Sequence, residues 1–213
     1  STDFIDPSDR LRPCIGDKTG RELEWEGYLS WPEITAMQRS GLIEFQSHGA
    51  AHTRVFAGER LLGFVSPSNP NPWLFWNSRP AAKPRWWRTI HKEESLWGHP
   101  VFPQKPSLAH RSYIPNARAV QHMLDWTRSR DPGFFESLSW KREALAEWRG
   151  WRAKHGDTGV WESRYVYARR VTRDLQSARS ELEQRLGAPV RYLCWPENAS
   201  HPAAEAIARE LGF

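Results

Sequence analysis

Nine of the chain's 16 prolines fall between Ala57 and Asn116: Pro67, Pro70, Pro72, Pro80, Pro84, Pro100, Pro103, Pro106 and Pro115. Each removes a backbone donor and restrains the residue before it, so no long helix can cross this stretch. It is also rich in aromatic residues, which argues against disorder. We read it as an irregular insert packed on Trp and Phe anchors, with a strand or two marked by the alternation in Arg60-Leu61-Leu62-Gly63-Phe64-Val65.

The flanks are regular. Thr2-Asp3-Phe4-Ile5 reads as a short strand stopped by the turn chemistry of Asp6-Pro7-Ser8-Asp9. Ser30-Trp31-Pro32-Glu33 is a capping box that predicts a helix to about Arg39, ended by Ser40-Gly41. Leu42-Ile43-Glu44-Phe45 then predicts a strand leading into Ser47-His48-Gly49-Ala50-Ala51-His52. Helices are predicted from Asn116, with Val120, Met123, Leu124 and Thr127 on one face, and from Ser139, with Trp140, Ala144, Trp148 and Trp151 on one face. From about Arg164 to Leu186, Val171, Leu175, Ala178, Leu182 and Leu186 recur at helical spacing before Gly187 and Pro189. Val190 to Cys194 predicts a strand, and Pro202 opens a last helix with Ile207 and Leu211 facing inward. This alternation favours an α/β fold with parallel strands. The organisation read from it is 1–56, an insert over 57–160, and a continuation over 161–213.

Hydrophobic residues are 39% and charged residues 26% of the 213, a composition of folded, polar-surfaced chains. No apolar run approaches the roughly 20 residues of a membrane span. A net charge of +5 is a mild bias toward acidic partners and does not select among them. Cys14 and Cys194 lie far apart without metal-type spacing, so neither a disulfide framework nor a cysteine zinc site is indicated. The 13 Trp admit two readings: packing anchors, or rings lining a stacking groove for sugars or bases.

His48 and His52 are the sharpest chemical signal. Two imidazoles four apart, on a helical turn or a tight loop at the C-terminal end of a strand, can aim at one divalent ion. Strand C-terminal ends are where α/β folds place active sites. A chance pair of surface histidines is the competing reading, and the small residues Gly49, Ala50 and Ala51 weigh against it. Asp3, Asp6 and Asp9 are candidates for a third ligand, but the turn at Pro7 already accounts for them. His99, His110, His122, His155 and His201 show no paired spacing with a carboxylate and read as surface or packing residues. Trp86-Trp87 between Arg85 and Arg88 reads as a loop anchor before a stacking patch. Ser66, Ser107 and Ser112 lack a nucleophile-elbow pattern.

The run from Leu29 through Ser47-His48-Gly49-Ala50-Ala51-His52, with its leading helix, resembles the second motif of the polysaccharide deacetylase (NodB-homology, carbohydrate esterase family 4-like) family. There a Ser-His-x-x-x-His segment supplies two metal-binding histidines. The helix ending at Leu186, with Tyr192-Leu193-Cys194-Trp195-Pro196 after it, is similar to the family's third motif, whose aromatic and proline turn walls the substrate groove. The opening Thr2-Asp3-Phe4-Ile5-Asp6 is similar to the family's second strand. The resemblance covers about half the chain and implies a distorted (β/α) barrel, present in part. It also implies a divalent metal, zinc first, held by His48 and His52, with Trp195 and Pro196 as substrate-binding residues.

The departures define further expectations. The family's Thr-Phe-Asp-Asp-Gly motif, with the catalytic base and a metal-binding aspartate, occurs nowhere in the chain, and neither does the strand carrying the acid histidine. Cys194 stands where the family often has Arg, and Glu197-Asn198 replaces an aromatic-Gly pair. The chain is therefore expected to be an internal piece of a longer deacetylase, with the base upstream of Ser1 and the acid downstream of Phe213. The implied activity is metal-dependent hydrolysis of N-acetyl groups on amino-sugar polysaccharides. The implied partner is an N-acetylated polysaccharide or oligosaccharide rather than nucleic acid, and a periplasmic, secreted or cell-envelope setting is compatible with it. The rival readings are a non-catalytic glycan-binding protein on a degenerate deacetylase fold and, further off, a basic nucleic-acid-binding domain. Salt separates the last, because phosphate binding falls steeply with ionic strength.

Overall fold

Ser30 starts the first helix as its sequence requires. In the computed structural model, which describes residues 1–12, 27–90, 93–131, 133–156 and 159–213, the Glu33 amide donates to Ser30 Oγ at 3.3 Å and the Ser30 amide to Glu33 Oε2 at 2.8 Å. Both halves of the capping box are formed, and α1 spans Trp31–Arg39. Arg12 completes this end: its Nε donates to Glu33 Oε1 at 2.5 Å and its Nη2 to Oε2 at 2.9 Å. Cys14 lies outside the described residues.

The chain divides into two compact units. The first comprises Ser1–His52, Pro80–Trp86 and Arg169–Phe213. It holds α1, the larger part of α5 (Arg164–Leu186) and α6 (Pro202–Glu210). Val171, Leu175, Ala178 and Leu182 of α5 are buried on one stripe, as the spacing predicts, together with Ile34 and Val190. On α6 the buried residues are Ala204 and Ala208, while the expected Ile207 and Leu211 are half-buried. His201 caps this helix, its Nδ1 accepting from the Ala203 amide at 3.1 Å.

Extended structure in this unit is sparser than the sequence suggests. Thr2–Phe4 forms a 3-10 turn where a strand is predicted; the Asp3 amide meets the Ala50 carbonyl and Asp6 bridges Ser30 in parallel, and these isolated contacts make no ladder. Leu42 to Phe45 form no ladder, and Leu42 and Ile43 are exposed. An extended segment counts as a strand only where a second chain takes its amides and carbonyls, and here that occurs only at Ser47, in a parallel bridge with Leu193. The predicted strand over Val190 to Cys194 likewise reduces to that bridge. The fold is mixed α/β, and among the described residues no closed barrel forms.

The second unit comprises Thr53–Arg79 and Trp87–Ala168. The prolines do exclude long helices between residues 57 and 116, where α2 (Pro72–Ser78) is a single short helix. The strand expected within Arg60 to Val65 is present over Gly63–Phe64, and the rest of the stretch, expected as irregular loop, is organised with it by short antiparallel pairs. These join β1 (Arg54–Phe56) to β4 (Gln104–Pro106), β2 (Gly63–Phe64) to β3 (Pro100–Val101), and β5 (Tyr113–Pro115) to β6 (Gly159–Trp161). Pro100, Pro106 and Pro115 sit inside these pairs because a two-stranded ladder leaves an edge that needs no donor. Gly159 is required in β6: a Cβ there would lie 2.5 Å from the Tyr113 ring and the Ile114 carbonyl.

Helices α3 (Ala117–Arg128) and α4 (Trp140–His155) follow, and Asn116 caps α3 by accepting from the Arg118 and Ala119 amides. Their inner faces join the strands in one core of Phe56, Phe64, Phe102, Tyr113, Ala119, Met123, Trp140, Ala144 and Trp148. Edge-to-face ring contacts dominate it: Phe102 lies 5.2 Å from both Phe56 and Tyr113 and 6.0 Å from Trp148. Trp76, Trp140 and Trp148 are buried, whereas Trp161 is exposed. Packing thus accounts for these three Trp. No helix among the described residues is long and apolar enough to cross a membrane.

Candidate metal centre

Ser47 fixes where the histidine segment begins. Its amide donates to the Tyr192 carbonyl at 3.1 Å and its carbonyl accepts from the Cys194 amide at 2.9 Å, so His48 leaves the end of a parallel bridge. The segment to His52 is a tight loop, not a helical turn. Gly49 has φ 71° and His52 φ 39°, left-handed values that glycine adopts freely and histidine uncommonly. Together these reversals bring the imidazoles to a ring-centroid separation of 4.9 Å.

The two side chains fit a shared divalent ion. Nδ1 of His48 lies 2.8 Å from the Cys194 carbonyl oxygen. A carbonyl only accepts, so Nδ1 carries the proton and the lone pair is on Nε2. That second hydrogen bond is the arrangement that aims metal-ligating histidines. Two rings ligating one tetrahedral ion through bonds of about 2.0 Å have centroids about 5 Å apart, close to the spacing observed. Burial lowers the pKa of His48 against the opposing pull of the Cys194 carbonyl. Burial lowers His52 as well, with His48 adding to the effect and the Glu197 carboxylate opposing it. Both are thus biased to the neutral, ligating form. Among the described residues no group of three His, Cys, Asp or Glu side chains is placed to hold one ion.

The aspartates offered by the sequence as third ligands have other work. Asp3 takes the Lys83 ammonium at 2.8 Å. Asp6 is buried, accepts from the Ser8 amide at 2.9 Å and from Arg85 Nη2 at 3.1 Å. Burial opposes its ionisation, but these hydrogen bonds win and lower its pKa. Asp9 is exposed. Trp86 is an anchor, its Nε1 donating to the Tyr28 hydroxyl at 3.3 Å.

Trp195 is half-buried and Pro196 buried, directly after the carbonyl that holds His48. Glu197 (φ 55°) and Asn198 (φ 52°) both take left-handed conformations, which Asn tolerates better than most residues. Two features escaped the sequence reading. Asp174, on α5, holds the Ala50 and Ala51 amides, and burial raises its pKa even so. His122, read as unpaired, meets Glu147 at 2.6 Å between α3 and α4. Neither partner lies near in sequence, which is why spacing could not find them.

No protein-family model and no curated protein matches the chain. Among solved structures it is similar to the deacetylase domain of BpsB from Bordetella bronchiseptica, with a TM-score of 0.48 and 17% identity over 99% of this chain and 48% of that one. It is also similar to a de-N-acetylase from Aggregatibacter actinomycetemcomitans, with a TM-score of 0.45 and 15% identity over 99% and 48% of the two chains. The chain spans about half the length of each.

Proposed function

We propose that the chain carries the paired-histidine part of a divalent-metal site, and that the intact protein removes N-acetyl groups from amino-sugar polysaccharides. The observation that carries this reading is the His48–His52 pair: two imidazoles 4.9 Å apart, one fixed by a carbonyl through Nδ1. His48 would ligate through Nε2, and His52 would complete the pair. Zinc suits such a donor set, and a bound ion supplies Lewis-acid polarisation and a water of lowered pKa. Trp195 and Pro196 would wall the acetyl pocket, the buried Pro196 fixing the turn and the half-buried Trp195 presenting a ring. The motif resemblance assigns the base to an Asp and the acid to a His outside this chain. In this reading the segments 1–56 and 161–213 belong to a distorted (β/α) barrel, with 57–160 inserted in it.

The test is acetate release from N-acetylglucosamine oligomers by the intact protein. Release should stop with a chelator, return with zinc, and be absent in His52→Ala. Release indifferent to chelation overturns the metal reading. Sugar binding without acetate release favours the non-catalytic glycan-binding protein instead.

A further inference from the structure

The loop between the two histidines is held by its backbone, and its polar groups have identifiable partners. The Gly49 amide donates to Ser47 Oγ at 3.2 Å. The Ala50 and Ala51 amides donate to Oδ1 and Oδ2 of Asp174, each at 2.9 Å. On the carbonyl side, Ala50 accepts from the Asp3 amide at 3.2 Å and Ala51 from Lys83 Nζ at 2.8 Å. Lys83 is 2% exposed and also donates to Asp3 Oδ2. The loop is therefore gripped from both sides.

We propose that Asp174 is the positioning residue of this site: by taking the Ala50 and Ala51 amides on its two carboxylate oxygens, it sets the separation and aim of His48 and His52. The inference rests on the reading of those histidines as metal ligands. Two successive amides converging on one carboxylate form an anion-binding nest, and here each amide meets its own acceptor oxygen. Asparagine supplies one, and turns its amide nitrogen toward a donor. Asp174 itself is anchored, lying on the α5 stripe with Val171, Leu175 and Ala178, all fully buried. The loop it grips contains two left-handed residues, Gly49 and His52, and three residues with no side chain larger than methyl. Without the grip the imidazoles would have to be ordered when the ion binds, and that ordering weakens affinity.

The test measures zinc affinity, by competition with a chromophoric chelator, in the intact parent protein and in Asp174→Asn and Asp174→Ala. The metal-free melting temperature and amide hydrogen exchange at Ala50 and Ala51 are measured alongside. Loss of a group that orients ligands typically weakens metal binding about 10–100-fold. That loss is expected for Asp174→Ala, with a smaller one for the nearly isosteric Asp174→Asn; both amides should lose protection in Asp174→Ala, and one of them in Asp174→Asn. A lowered melting temperature with zinc affinity within about threefold of the parent would show a merely structural role and overturn the proposal. Amides already unprotected in the parent would overturn it too. A parent that binds no zinc removes the ligand reading and this inference together, whereas a tight-binding parent with indifferent variants removes this inference alone.

Discussion

The two units solve the same problem by different means. In the second, short strands and two helices close over an aromatic core, and shape is kept by burying Phe102, Tyr113, Met123 and Trp148 almost completely. In the first, the segment carrying the two histidines is a loop, and side chains reaching backbone hold it and its surroundings: Asp174 on Ala50 and Ala51, Lys83 on Ala51, Glu33 with Arg12 on the start of α1. Apolar burial is non-directional and tolerates imprecision. Hydrogen bonds to backbone are directional and fix a loop more closely, as the proposed ligand pair would need.

The largest effect should come from breaking the aromatic unit. Phe102→Ala removes a ring packed on Phe56, Tyr113 and Trp148 and should destabilise by about 3–5 kcal/mol in urea titrations. Zinc affinity should stay at the parent value; if it falls together with stability, the division of labour drawn here fails.

Glu33→Gln strikes the polar unit. The Arg12 hydrogen bond above all lowers the Glu33 pKa from 4.5 to about 2, burial opposing. The folded state thus favours the carboxylate, and its stabilisation is present above pH 4.5 and lost as pH falls toward about 2. The variant should lose about 2–3 kcal/mol at neutral pH and show a shallower acid limb between those values. A parallel acid limb in parent and variant would contradict the assignment.

His99 sharpens the contrast from the other side. Burial lowers its pKa below 6.5, against the pull of the Pro100 carbonyl, so the unfolded chain binds the proton first and stability declines as pH falls below 6.5. His48 and His52 act in the same window, which makes the difference between parent and His99→Gln the quantity to read. The variant should lose up to about 1.4 kcal/mol per pH unit of that slope, and an unchanged slope would place the titration elsewhere. Smallest of all, Leu42→Ser should change stability by less than about 0.5 kcal/mol, because Leu42 is 87% exposed and pairs with no strand. A larger loss would restore the strand that the sequence suggests there.

These cases also show what was legible in the sequence. Local signals were read well: the Ser30 capping box, the Asn116 cap and the α5 stripe depend on residues three or four apart. The same holds for the spacing of His48 and His52, since a short loop can place rings four apart together. Strands were read poorly at Thr2–Phe4 and Leu42 to Phe45, because a strand depends on a partner that its own residues do not specify. In the Pro-rich stretch the alternation of Arg60 to Val65 did mark β2, but the strands it and its neighbours pair with were missed for the same reason. Asp174 and Lys83 were invisible because each meets the histidine loop across many residues of chain, 124 and 32 respectively.

The most direct test of the central claim is the metal content of the purified intact protein, measured beside that of His48→Ala. The parent should hold one divalent ion per chain, zinc first, and His48→Ala should hold none. An unchanged metal content in the variant would contradict the assignment of His48 as a ligand.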